Sequence, residues 1–211
     1  MKRLLVSSVL FSTMKRTIGD ETNKIATKKS KLSHWSHGMM NSMDDPELKV
    51  LEDDLVVVIK DKYPKAKFHY LVISKTDINS ITHVKKEHLN ILEHMEEVGE
   101  NLTKKHENYE FIIGYHAIPS MQRLHMHVIS TDFNSSCLKT KNHWNSFTTP
   151  FFLLPEKVHK SIQEEGRLKI NSETMKNHLK TALKCHKCSF LAKNMPDLKK
   201  HLLKHIPNDN E

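Results

Sequence analysis

Apolar and polar positions repeat with two periods along this chain, and the changes of period mark its elements. Leu55–Lys60, LVVVIK, is β-branched and apolar, as a buried strand requires. A polar connection with Lys60, Lys62, Lys65 and Lys67 runs around a turn at Tyr63-Pro64. Phe68–Ser74, FHYLVIS, is the next strand, and the pair predicts an antiparallel hairpin. From Glu87 to Lys105 the period becomes helical. Leu89, Leu92, Met95, Val98 and Leu102 form one stripe opposite a face of Glu, Asn and Lys. His88 and His94 read as surface or packing residues of that helix. Period two returns over Glu110–Ile118 and Leu124–Ser130, with Gly114, Pro119 and Ser120 marking the turn. Pro155–Glu165, ended by Gly166, is a further helix, and the aromatic stretch His143–Leu154 is expected to cover the sheet. The order strand-strand-helix-strand-strand predicts an α+β fold, a mostly antiparallel sheet with helices on one side.

Upstream, WSHGMMNSM (35–43) predicts a short amphipathic helix stopped before Pro46. Trp35 suits either a lid on the core or a ring stacked on an exposed base. Residues 1–13 have a basic start and a short apolar run, but an unpaired Cys137 and a reduced cysteine motif downstream argue against secretion. Lys15-Arg16 and Lys28-Lys29-Ser30-Lys31 have the form of a bipartite nuclear-import signal. No apolar run approaches the ~20 residues of a membrane-spanning helix.

Charge adds a functional hint. The net charge is +8, yet residues 35–174 hold seventeen Lys and Arg against twenty Asp and Glu. Residues 1–34 hold eight against two, and 175–211 eight against three. A slightly acidic core with two basic ends suits a polyanionic partner.

Candidate chemistry concentrates at FIIGYHAIPSMQRLHMHVIS (111–130). Side chains alternate across a strand, so Arg123, His125 and His127 share one face, and Leu124, Met126 and Val128 the other. Two imidazoles and a guanidinium on one open face suit a phosphate. A neutral imidazole can attack phosphorus and split one displacement into two. Its neighbour can bind the phosphate or handle the proton, and spacing does not say which histidine does which. His116 can act as a donor, and the turn Pro119-Ser120-Met121 offers a hydroxyl and N–H groups. His69 is equally a packed histidine or a site residue. No carboxylate cluster or phosphate-binding glycine loop is present. Near the end, Cys185-x2-Cys188-x12-His201-x3-His205 places two thiolates and two imidazoles at zinc spacing, with Leu198 and Leu202 as a small core. Lys187, Lys193, Lys199, Lys200 and Lys204 could add phosphate contacts there.

At LHMHVIS the chain resembles the histidine triad superfamily. The likeness runs through HWSHGMMNSMDDPELKV, VVVIKDKYPKAKFHYLVIS, GYHAIPSM, the SSCLK…HWNSF loop and the finger, over about residues 33–205 in one order. It is strongest to the DNA-repair branch with a terminal zinc finger, although a basic tail stands where vertebrate members carry a forkhead-associated domain. The resemblance implies the histidine triad fold plus a small C-terminal finger, divided as a disordered basic tail (1–32), a catalytic domain (33–160) and a helix with the finger (161–211).

The activity so implied is removal of AMP from 5′-adenylated DNA. His125 would be the nucleophile, His127 a phosphate ligand and His116 an assistant at the leaving group. Lys65, His69, Ser120, Met121 and Arg123 would surround the nucleotide. Trp35, the segment Ser74, Lys75, Thr76, Asp77, Ile78 and Asn79, and Asn134, Ser135, Lys139 and Lys141 would contact DNA. Cys185, Cys188, His201 and His205 would hold one structural zinc, with no catalytic metal. Adenylated nicks and ends, RNA–DNA junctions included, would be the partners, AMP the product, the nucleus the main location with a minor mitochondrial form, and the protein a monomer. Arg123 departs from the pattern, standing where the first triad histidine is expected. The alternative is a hydrolase of small nucleotides, adenylyl-amines or dinucleoside polyphosphates.

Overall fold

The computed structural model describes residues 42–206. The tail and import signal expected within 1–32, Trp35, and the start of its helix lie outside the described residues. Six strands form one sheet: β1 (Lys49–Glu52), β2 (Val56–Lys60), β3 (His69–Ser74), β4 (Phe111–His116), β5 (His125–Ser130) and β6 (Phe152–Leu153). Their order is β1-β2-β3-β5-β4-β6, and every pairing is antiparallel. The α-helices lying wholly within the described residues are α1 (Leu89–Thr103), α2 (Lys141–Thr148), α3 (Pro155–Glu165), α4 (Ser172–His178) and α5 (Met195–Leu202).

The four strands and the long helix expected from periodicity are all present. The helix starts two residues later than expected, because Lys86–His88 forms a 3-10 turn before it. β1 and β6 were not legible. β1 is a four-residue edge strand whose register shifts between Lys49 and Leu51, and β6 is two residues long. Neither is long enough to display a period. Gly114 is not in the turn but inside β4, opposite His127.

One face of the sheet packs on α1 and α3. Leu92, Met95 and Leu102 of the predicted stripe, with Ile91, meet Val56, Val58, Val72, Met126 and Val128, and Val158 and Ile162 of α3 close the layer. The helix approaches closely because Gly99 has no side chain. A Cβ there would stand 3.1 Å from Val128 Cγ2. The other face is covered too, which corrects the expectation of helices on one side only. Val57, Ile59, Leu71 and Ile73 pack with Met43 and Met121. Ile129 joins Phe133, Trp144, Phe147 and Phe152, and the same cluster continues into Leu183, Met195, Leu198 and Leu202 of the C-terminal segment. That segment is therefore packed against α2 rather than tethered beside it. No helix among the described residues is long and apolar enough to cross a membrane.

Gly114 is where β6 crosses closest to β4. An added Cβ would fall on the Leu153 carbonyl oxygen and 2.8 Å from Phe152 Cε1. Gly166, by contrast, ends α3 at φ +78 with open space around it. Gly114→Ala is expected to lower stability by about 2–3 kcal/mol through overpacking, and Gly166→Ala by about 1 kcal/mol through the left-handed backbone alone. Denaturant midpoints of the two variants check the order.

Candidate active site

The site is built on neighbouring antiparallel strands. Leu71 of β3 faces His127 of β5, and Ile73 faces His125. His69 lies diagonally from His127, a separation that long side chains span. β4 brings His116 to the same face, two residues beyond the Gly114–His127 pair. The His127 ring centroid is 4.2 Å from that of His116, 5.1 Å from that of His125 and 5.2 Å from that of His69. Phe147 of α2 stands edge-on to His69 and His127 and packs on His116 at 4.7 Å.

The predicted alternation holds, since Leu124, Met126 and Val128 join the α1-side core. The predicted openness does not. His69, His125 and His127 are only 4, 6 and 5 % exposed. Buried Phe147, Phe151 and Phe152, all within the stretch expected to cover the sheet, enclose the imidazoles.

Hydrogen bonds assign the protons. The Lys65 N–H donates to His69 Nδ1 at 3.2 Å, which leaves the His69 proton on Nε2. That nitrogen is 2.9 Å from His127 Nδ1 and donates to it. His127 therefore carries its own proton on Nε2, a buried N–H without an acceptor among the described residues. His125 has the opposite tautomer. Its Nδ1–H donates to the Arg123 carbonyl at 2.8 Å, so its lone pair is on Nε2. His116 Nε2 is also buried without a partner among the described residues. An unsatisfied buried donor costs about 1–3 kcal/mol, and a phosphoryl oxygen would remove that cost.

Burial keeps all four rings neutral. It pushes His69 down to about 4, against the pull of the Asp61 carboxylate 3.5 Å from its Nδ1. Burial first, then the repulsion that a charge would meet from the neighbouring imidazoles and Lys65, hold His116 and His127 well below the usual imidazole range. His125 is lowered by burial, while its bond to the Arg123 carbonyl and the Asp61 charge act in the opposite direction. A neutral imidazole with a free lone pair beside an N–H donor can attack an electrophile while the donor holds the developing charge.

Arg123 departs from the expected strand face. Its φ of +93 is rare for a residue with a side chain and costs about 1–3 kcal/mol. The side chain turns to the loop after β3, where Nη1 donates to the carbonyls of Lys75 (3.3 Å) and Thr76 (3.1 Å). Ser80, Tyr115, His116, Pro119, Arg123 and His125 line a shallow pocket. Ser120 is exposed, and Met121 is half-buried against the sheet. Lys65 is half-buried, its ammonium bonded to the Tyr63 carbonyl.

Two expected DNA contacts need correction. Ser74 is buried at the end of β3 with its hydroxyl donating to the Thr76 carbonyl, and Ile78 lies in the α1-side core, so both side chains are occupied within the chain and away from the histidine face. Lys75, Thr76, Asp77, Asn79, Asn134, Lys139 and Lys141 are exposed. Ser135 is engaged internally: its hydroxyl donates to the Pro64 carbonyl and its own carbonyl accepts from Lys199. Asp61 and Ser80 were missed by sequence reasoning. Each sits in a polar turn, with no local pattern to distinguish it from its neighbours.

At the C-terminus, one donor atom from each of Cys185, Cys188, His201 and His205 falls within a 4.8 Å group. Sγ of Cys185 is 3.5 Å from His205 Nε2, Sγ of Cys188 is 3.2 Å from His201 Nε2, and the two Nε2 atoms are 3.1 Å apart. Ligand bonds of about 2.0–2.3 Å around a tetrahedral zinc require separations of this size, so the donor set fits the ion. Asn194 caps α5 by accepting from the Asp197 N–H. Two of the five lysines expected to meet phosphates are engaged within the chain, Lys187 with Glu110 and Lys199 with Ser135.

Residues 34–143 match the family model described as scavenger mRNA decapping enzyme, C-term binding. The chain belongs to this histidine-triad-like family. Residues 148–208 match the C2HE / C2H2 / C2HC zinc-binding finger. Aprataxin from Gallus gallus is 48% identical over 182 residues, covering 85% of this chain and 57% of the relative. Aprataxin from Danio rerio is 43% identical, covering 86% and 56%. The chain thus spans a little over half the length of these relatives. The fold matches the aprataxin ortholog Hnt3 from Schizosaccharomyces pombe at TM-score 0.65 and 24% identity, covering 79% of this chain and 89% of the other. A structure described as Hnt3 in complex with DNA and guanosine matches at TM-score 0.65 and 23% identity, covering 80% and 93%.

Two outcomes follow for this homologue. Its buried histidines stay neutral in the folded state, whereas unfolded histidines titrate near 6.5. Stability is therefore independent of these groups above about pH 6.5 and falls as the pH drops toward about 4, by up to about 1.4 kcal/mol per pH unit per histidine. Thermal midpoints across that window are expected to fall, less steeply in His69→Gln. Chelation of zinc is expected to loosen α5 and Trp144, whose indole N–H donates to the Lys184 carbonyl beside the finger. Tryptophan emission before and after chelation reads this directly.

Proposed function

We propose that this chain is a DNA-adenylate hydrolase, which removes AMP from 5′-adenylated ends left by abortive ligation and restores 5′-phosphates during single-strand break repair. The observation that carries the reading is the hydrogen bonding of two adjacent buried imidazoles, which leaves a lone pair on His125 Nε2 and an N–H on His127 Nε2. His125 attacks the adenylate phosphorus. A P–N bond forms as the phosphoanhydride P–O bond breaks and the DNA 5′-phosphate leaves, with His116 assisting at the leaving oxygen. The His127 N–H binds a phosphoryl oxygen and stabilises its charge. The His125 Nδ1–H stays on the Arg123 carbonyl, which shares the positive charge of the covalent intermediate. Water then attacks phosphorus and loses a proton, the P–N bond breaks, AMP departs and His125 is neutral again.

Lys65, His69, Ser120 and Met121 surround the nucleotide in this reading. DNA lies against Lys75, Thr76, Asp77, Asn79, Asn134, Lys139 and Lys141, and Trp35 stacks on the exposed base pair. The excess of Lys and Arg at both ends supports a nucleic-acid partner, as does the DNA complex recorded for the fold neighbour Hnt3. Zinc acts structurally, holding the core that Leu198 and Leu202 share with Trp144 and Phe147. The protein works as a monomer in the nucleus, with a minor mitochondrial form, on nicks, ends and RNA–DNA junctions. Its parts are the tail (1–32), the catalytic domain (33–160) and the finger segment (161–211).

Purified protein is expected to release AMP from adenylated nicked duplex and to form an acid-labile adenylate on His125. His125→Asn is expected to lose about a thousandfold or more in rate. Folded protein that leaves such DNA untouched would sink the proposal, and faster turnover of adenylyl-amines or dinucleoside polyphosphates would assign it to small nucleotides instead.

A further inference from the structure

Arg123 is bonded to the loop after β3 through both backbone and side chain. Its N–H donates to the Asn79 carbonyl at 2.9 Å, and the next N–H, of Leu124, donates to the Ile78 carbonyl at 2.6 Å. Its guanidinium donates to the Lys75 and Thr76 carbonyls and pairs with Asp77 Oδ1 at 3.3 Å, with the side chain only 14% exposed. The loop from 75 to 79 is thus gathered around one residue. That residue has left-handed backbone, and its carbonyl is the acceptor for His125 Nδ1–H.

We infer that Arg123 is a positioning residue whose guanidinium, by gathering the loop oxygens, holds its own left-handed backbone and so aims the carbonyl that fixes the proton on His125. All three of these contacts are made by Nη1, whose N–H directions the planar guanidinium fixes, whereas an ammonium rotates freely. The geometry has a second consequence, resting on the function proposed above. Lys75, Thr76, Asp77 and Asn79 are the exposed residues expected against DNA, so strand engagement and the lone pair of His125 are linked through one side chain. Arg123 acts through His125 and does not itself touch the phosphate.

Nitrogen NMR of histidine-labelled free protein reads the tautomer without any substrate. Wild type is expected to show His125 as a single Nδ1–H form. Arg123→Ala is expected to show a mixture, and its single-turnover rate on adenylated DNA to fall about ten- to a hundredfold, the scale of a small misplacement of a reacting group, while DNA affinity, which shares the loop, falls by less than the rate does. Arg123→Gly accepts the positive φ without strain and is expected to keep more of the single tautomer than Ala, because its backbone needs less holding. Arg123→Lys is expected to recover part of the rate and replaces Ala in the comparison if Ala does not fold. A wild-type tautomer and rate in the Ala variant would overturn the inference. So would a loss confined to DNA affinity, which would make the guanidinium a ligand contact. If wild type does not act on adenylated DNA, the tautomer in free protein still decides the role of Arg123, independently of the proposed activity.

Discussion

Packing four imidazoles on one face of a sheet is the constraint that the rest of this structure answers. Neutral imidazole can be buried only if its polar nitrogens are paired or left for a ligand. Here the pairing is a directed series: the Lys65 N–H to His69, His69 to His127, and separately His125 to the Arg123 carbonyl. Each bond sets the tautomer of the next ring. The series ends in an unused donor on His127 and a lone pair on His125. What looks like an incomplete core is an arrangement that can take an oxyanion on one ring beside a free lone pair on the next.

Enclosing that site requires a second layer on a face that the helical stripe of α1 cannot reach. α2 supplies Phe147, the next segment supplies Phe151 and Phe152, and Gly114 leaves the room in which β6 crosses β4. The C-terminal finger extends the same layer. Its Leu183, Met195, Leu198 and Leu202 pack with Trp144 and Phe147, and its Lys187 pairs with Glu110 just before β4. Metal binding at Cys185, Cys188, His201 and His205 thereby becomes connected to the cover of the imidazoles. A small core of this kind depends on its ion for order. The finger lysines divide accordingly, two tied into the chain and the rest on its surface.

Long-range electrostatics and local chemistry have separate carriers in this molecule. Positive charge is concentrated at the two ends of the chain, while the middle is slightly acidic. The clustered imidazoles are uncharged because burial makes them so. A polyanion can be attracted without placing fixed cations on the nucleophile, where they would depress its electron density. Arg123 fits this division. Although cationic and next to the site, it directs its charge into the carbonyls of the β3 loop.

The sequence by itself determined the elements that carry a sustained period. The stripe of α1, the four longer strands, the alternation of Leu124, Met126 and Val128 against His125 and His127, and the spacing of the finger ligands were all readable, because each is local and repeats. Tertiary structure alone decided what depends on residues far apart in the chain. β1 and β6 exist because longer strands offer them edges. The histidine face is closed because α2 and the finger pack over it, about 20 residues or more downstream. Asp61 faces His69 across a turn whose composition resembles any polar loop. The backbone of Arg123 turns left-handed through bonds to a loop more than 40 residues earlier, so alternation, which places it beside the histidines, fails at the residue where the chain departs from the triad pattern. Periodicity is a property of one segment, whereas burial, tautomer and strain are set by the segments that come to lie against it.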